Sequence, residues 1–167
     1  GDLLSMVQGP RLSQMRTGAV SAIGTRFMSR ENSKTVGMIG AGYQARGQLE
    51  GICAVRDVSS VKVFDISEEF SAKFAVEMQE ELSVPISTVS SAEEAVSDVD
   101  IVITMTTTRK PVLLGDWLQP GQHINAAGSN HWIRQEVDDN VIKRANRIVV
   151  DSIEDAKIEA GDLLFPI

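Results

Sequence analysis

Six short apolar, β-branched segments recur along the chain, at residues 35–41, 60–66, 85–90, 101–106, 123–128 and 147–152, and each has the composition of a strand. Several run continuously apolar rather than alternating, as in VGMI, IVITM and RIVV. A strand covered on both faces in a parallel sheet needs that pattern. The intervals between them carry helical periodicity. Ala45, Leu49, Ile52 and Cys53 form one stripe, Phe70, Phe74 and Met78 a second, and 93–96 and 137–145 supply shorter helices. Ahead of the first strand, residues 12–30 form another helical window, with Met15, Ala19, Ala22, Ile23 and Phe27 marking its apolar side. Alternation of strand and helix predicts βαβ units, and right-handed crossovers then give an α/β, doubly wound, mainly parallel sheet with helices on both faces.

At 167 residues, 43% hydrophobic and 23% charged, the composition fits one globular domain with a buried core. The net charge of −7 comes without a cluster of Lys and Arg, which argues against nucleic acid as a partner. The single cysteine, Cys53, forms no internal disulfide and is expected to act as a small buried hydrophobe. There is no charged-then-apolar leader and no apolar run of ~18 residues, so the expected location is cytoplasmic, with no membrane partner. The opening GDLLSMVQGP lacks an initiator Met and the end GDLLFPI follows an apolar run, which predicts a piece of a longer chain.

Gly40, Gly42 and Ala45 fit G-x-G-x-x-A at the junction of the first strand and its helix. In a dinucleotide-binding turn the first glycine permits the bend and the second lets the backbone approach a pyrophosphate. The third, small residue lets the helix pack closely on the strand, and free N–H groups at the helix start face the phosphate charge. A glycine-bearing βα turn with no ligand has the same local sequence. The second strand, VKVFDIS, ends in Asp65, 20 positions after Ala45. A carboxylate at ~20 residues accepts the adenine-ribose hydroxyls and would repel a 2′-phosphate, and neither Ile66 nor Ser67 supplies a cation, so the expected cofactor is NAD rather than NADP. Two histidines and one cysteine give no metal-ligand spacing, and no serine elbow is present.

The stretches RTGAVSAIGTRF, VGMIGAGYQARGQLE, VKVFDIS, ITMTTT, LQPGQHINAAGSN and IVVDSIEDAKIEAGDL follow one another over essentially the whole chain. Together they resemble the ornithine cyclodeaminase/mu-crystallin family. That resemblance implies a Rossmann-type NAD(P)-binding domain at 31–155, a lead-in segment and connecting helix at 1–30, and a return at 156–167 toward a substrate and dimerisation domain that is largely absent. It also implies that Arg16 and Thr17 approach the cofactor phosphate and the substrate carboxylate, and that Tyr43 and Gln44 join Gly40, Ala41 and Gly42 at the pyrophosphate. Thr106, Asn125, Ala126 and Ala127 would face the adenosine and nicotinamide portions, and Arg134 would approach the cofactor.

Asn130 stands where cyclodeaminases of the family carry an Asp for proton transfer. An amide cannot take and release a proton near neutral pH, although it can orient a water or an amine, so Asn130 is the candidate catalytic position and cyclodeamination is in question. Neighbouring His131 could serve as a base instead. The resemblance therefore implies an NAD(H)-dependent amino-acid or imino-acid oxidoreductase, alanine-dehydrogenase-like or ketimine/pyrroline-carboxylate-reductase-like. It would be a homodimer in its full-length form and inactive as this segment alone. Ornithine cyclodeaminase and a non-enzymatic, nucleotide-dependent binder of small molecules remain the alternatives.

Overall fold

A computed structural model describes residues 2–164. Five parallel strands, β1 (Thr35–Ile39), β2 (Ser60–Phe64), β3 (Ile86–Thr88), β4 (Ile101–Thr104) and β5 (His123–Ala126), pair in the order β3-β2-β1-β4-β5. The chain works outward from β1 to one edge, crosses back and continues from β4 to the other edge. The reversal between β1 and β4 is the position where such sheets open a crevice at the carboxyl ends of their strands. Successive residues of β1 and β4 serve opposite cores, which is why these strands carry no polar alternation. Val36, Met38, Ile101 and Ile103 join α2 (Tyr43–Val55) and α3 (Glu68–Leu82) through Leu49, Ile52, Phe74 and Met78. Ile39 and Val102 join α4 (Ala92–Val96) and α5 (Asp139–Arg144) through Ala95, Val96 and Val141. Of the apolar stripe expected on α3, Phe70 instead stays 55% exposed.

Helix α1 (Pro10–Met28) forms close to where periodicity places it but presents a different face. Met15, Ile23 and Phe27, expected to mark its buried side, are 52%, 61% and 78% exposed. The buried positions are Gln14, Gly18, Ala22 and Thr25. Backbone approach decides this: a Cβ on Gly18 would lie 1.9 Å from the Gly47 carbonyl oxygen, and one on Gly51 would lie 2.5 Å from that of Gly18. Small residues let α1 and α2 meet main chain to main chain, and polar groups then complete the seam. Gln14 donates to the Tyr43 carbonyl, and the Arg56 guanidinium donates to the Thr25 carbonyl at 2.9 Å.

The sixth expected strand, 147–152, is not one. Its β-branched run pairs with no backbone among the described residues, and Ile148 and Val149 remain 44% and 65% exposed. The chain turns at Ser152, whose hydroxyl accepts from the Asp155 N–H, and enters α6 (Ile153–Glu159) and α7 (Gly161–Leu164). No helix among the described residues is long and apolar enough to cross a membrane. Part of the expected return at 156–167 lies outside the described residues.

Candidate functional site

The carboxyl ends of β1, β2, β4 and β5 share one edge, and the glycine turn is pinned there by both neighbours of β1. Gly40 donates its N–H to the Phe64 carbonyl at 2.8 Å. Its φ of 103° is costly for any residue with a Cβ, and a Cβ there would meet the Met105 carbonyl oxygen at 2.4 Å. Gly42 differs: none of the described residues lies within 4 Å of where its Cβ would be, so the turn is bare on that side. Gly42 is also the N-cap of α2, which takes no hydrogen bond from a capping side chain. Ala45 is fully buried, the close helix-on-strand contact expected of a small third residue.

Asp65 faces this turn from the end of β2. One carboxylate oxygen accepts the Ala41 N–H at 2.8 Å and the other accepts the Ser67 N–H at 2.9 Å. The acid and the glycine turn are therefore a single hydrogen-bonded unit, with Ile66 95% exposed beside it. Arg46, which the sequence reading passed over, lies one turn into α2 and donates to the Gly42 and Ala41 carbonyls at 3.2 and 3.4 Å. It is held in place by Glu77 and by the Phe74 ring, 5.5 Å from its guanidinium carbon. Its i, i+4 spacing from Gly42 was the available signal.

The remaining candidates divide by what they touch. Tyr43 is half exposed at the head of α2, and Gln44 beside it keeps a buried amide oxygen with no partner among the described residues. Arg16 is exposed within α1, and Thr17 spends its hydroxyl on the Ser13 carbonyl at 2.8 Å. Asn125 is buried and donates to the Thr25 hydroxyl at 2.9 Å, so its amide braces α1 against β5. Ala126 and Ala127 lie at the mouth of the edge, exposed and half-buried. Arg134 donates to the Asn130 side-chain oxygen at 2.8 Å, which brings these two candidates together, while His131 is exposed and its Nδ1 accepts from the Ile133 N–H at 3.3 Å.

Thr106 meets a residue that the motifs did not reveal. Its N–H and hydroxyl both donate to Glu136, at 2.6 Å each. Glu136 is fully buried and also accepts from the Thr104 hydroxyl at 2.8 Å and the Gly128 N–H at 2.7 Å. Burial pushes its carboxyl above the ordinary range, and the hydrogen bonds from Thr106, Thr104 and Gly128 oppose that rise. Behind it, Asp162 accepts the Glu136 and Val137 N–H groups at 2.6 and 3.0 Å, and burial likewise raises its carboxyl. An acid ten residues past the end of β5 carries no recognisable spacing, so only the fold exposes it.

A bent glycine turn, an acid joined to it from β2 and a doubly wound sheet define a Rossmann-type domain. The chain belongs to the ornithine cyclodeaminase/mu-crystallin family, whose model matches residues 1–165. It is 40% identical over 167 residues to a Delta(1)-pyrroline-2-carboxylate reductase of Bacillus cereus, covering 100% of this chain and 51% of that protein. Among solved structures, Thermococcus litoralis Delta(1)-pyrroline-2-carboxylate reductase in complex with NADH and L-proline superposes with a TM-score of 0.92 at 42% identity, covering 95% of this chain and 49% of that one. An archaeal alanine dehydrogenase dimer with bound NAD superposes with a TM-score of 0.82 at 38% identity, covering 89% and 45%. The chain thus spans about half the length of the curated relatives it matches.

Proposed function

We propose that the chain is the cofactor-binding part of an NAD(H)-dependent oxidoreductase acting on an α-imino or α-amino acid. The observation that carries this reading is the joined glycine turn and Asp65 carboxylate. The bare side of Gly42 and the uncapped start of α2 suit a pyrophosphate, and Asp65 at the end of β2 suits a ribose diol. When bound, the nicotinamide supplies a hydride to the substrate α-carbon, and a proton taken up at nitrogen completes the amine. Gly40 to Gln44 hold the diphosphate, Asp65 selects NAD by its charge, and Thr106 with Ala126 and Ala127 edge the second half of the crevice. Arg16 orients the substrate carboxylate, together with cations from the rest of the protein.

The relatives favour a cyclic imine carboxylate as substrate in the reductive direction, with an alanine-dehydrogenase-like reaction as the neighbouring choice. Cyclodeamination is disfavoured because Asn130 is an amide already engaged by Arg134 and offers no proton acceptor. The dimeric state of the archaeal alanine dehydrogenase extends to a homodimer here. The test uses the full-length protein: NADH fluorescence on mixing, then loss of NADH absorbance on adding Δ1-pyrroline-2-carboxylate or pyruvate with ammonia. Absence of binding would overturn the reading. Binding without turnover on either substrate would favour a non-enzymatic binder.

A further inference from the structure

Beyond Thr104 and Ala127, β4 and β5 stop bonding to one another. Ala127 still donates to the Thr104 carbonyl at 3.0 Å, but the next free N–H groups, those of Thr106 and Gly128, both turn to Glu136. One side chain therefore sets the separation of the two strand ends. Two of its four partners, the Thr106 and Gly128 N–H groups, can only donate and reach one oxygen each; the other two are the Thr104 and Thr106 hydroxyls. An N–H group on each oxygen favours the ionised carboxylate against the rise that burial imposes. Glu136 makes no ion pair among the described residues, and the nearby acid Asp162 adds a second carboxylate rather than a cation. In its ionised form this carboxylate is a buried charge with no ion-pair partner among the described residues and acts on whatever lies over this edge.

The occupant follows from topology, and this step rests on the cofactor reading above. With pyrophosphate at the glycine turn and the adenine ribose at β2, a dinucleotide spans the reversal point and lays its other half over β4 and β5. We infer that Glu136 is a positioning residue for the nicotinamide half: it fixes the strand ends beneath the ring and supplies a buried negative charge that favours the oxidised, cationic ring over the reduced, neutral one. Glu136 then also stabilises the positive charge that the ring gains as its hydride passes to the imine carbon.

Titrating NAD+ and NADH separately into the full-length protein by calorimetry tests this, because both forms share every contact of the adenosine end. E136Q is expected to weaken NAD+ about fivefold more than NADH, the scale of one screened charge interaction. E136D, which keeps the charge, is expected to hold the wild-type ratio of the two Kd values within about twofold, even if both affinities fall. Equal weakening of both forms in E136Q, or a ratio in E136D shifted as far as in E136Q, would overturn the inference and leave the cofactor reading standing. Failure of the wild-type protein to bind either form would overturn both. Should E136Q not fold, E136M carries the same test, since it places no donor against the Thr106 and Gly128 N–H groups.

Discussion

The two glycines of the turn should fail in opposite ways, and the pair separates folding from binding. In Gly40→Ala a Cβ is forced onto a backbone with φ of 103° and lands 2.4 Å from the Met105 carbonyl oxygen and 2.9 Å from its carbon. The dihedral strain costs ~1–3 kcal/mol and the overpacking against main chain a further ~1–3 kcal/mol. For a domain of this size a loss of ~2–6 kcal/mol lowers Tm by roughly 5–20 °C. In Gly42→Ala the backbone, with φ −73° and ψ −173°, already suits alanine and the new methyl meets none of the described residues within 4 Å. Its Tm should stay within ~2 °C of wild type or rise slightly, because alanine restricts the unfolded chain. Its NADH affinity should fall by about tenfold or more, the loss of one charge-assisted backbone contact to phosphate being ~1.5–3 kcal/mol. Thermal melting by fluorescence and NADH titration give both numbers from one preparation. Wild-type NADH affinity in G42A would refute the phosphate seat, and wild-type stability in G40A would refute the claim that only glycine fits the bend.

Asp65→Asn keeps an acceptor for the Ala41 N–H but removes the charge, so the preference for NADH over NADPH should shrink about tenfold in paired titrations; unchanged selectivity would contradict the role given to Asp65. Gly18→Leu should separate α1 from α2, with ~3 kcal/mol or more lost in urea unfolding, since its Cβ would overlap the Gly47 carbonyl at 1.9 Å. Asp100 gives a pH signature. Burial raises its carboxyl, but the Lys34 and Thr35 N–H groups, the Thr35 hydroxyl and the Arg30 guanidinium outweigh that and hold it below the ordinary range. A depressed acid stabilises the fold fully above its unfolded pKa of ~3.9 and loses that contribution as pH falls through the folded value. Asp100→Asn should therefore lower stability at neutral pH, with the gap to wild type closing below about pH 4 in acid-unfolding curves.

What could be read from the sequence was local. The continuous apolar strands, the glycine turn and the acid 20 residues on depend on short-range spacing, and the structure places them on one edge of the expected sheet. The face of α1 was misjudged because periodicity counts hydrophobic side chains, while its docking is decided by how closely two backbones meet at Gly18, Gly47 and Gly51. Residues 147–152 misled in another way: β-branched composition reports a preference for strand, and a strand exists only when a second backbone pairs with it. The helix beginning at Ile153 was legible in the cap at Ser152 and the acidic first turn, signals that the strand reading overrode.

The polar residues of the crevice follow one rule that no motif encodes. A parallel sheet that opened at its carboxyl edge would leave main-chain donors buried without partners, which is costly. Here each such donor is given to a carboxylate: Ala41 to Asp65, Thr106 and Gly128 to Glu136, and Glu136 and Val137 in turn to Asp162. Strands β4 and β5 can therefore part after Thr104 and Ala126 without stranding their N–H groups, and the gap between them becomes available to a ligand. The same device that lets the sheet open lines that edge with carboxyl groups. Rigidity of that edge and the preference for the oxidised cofactor inferred above would thus come from one set of hydrogen bonds.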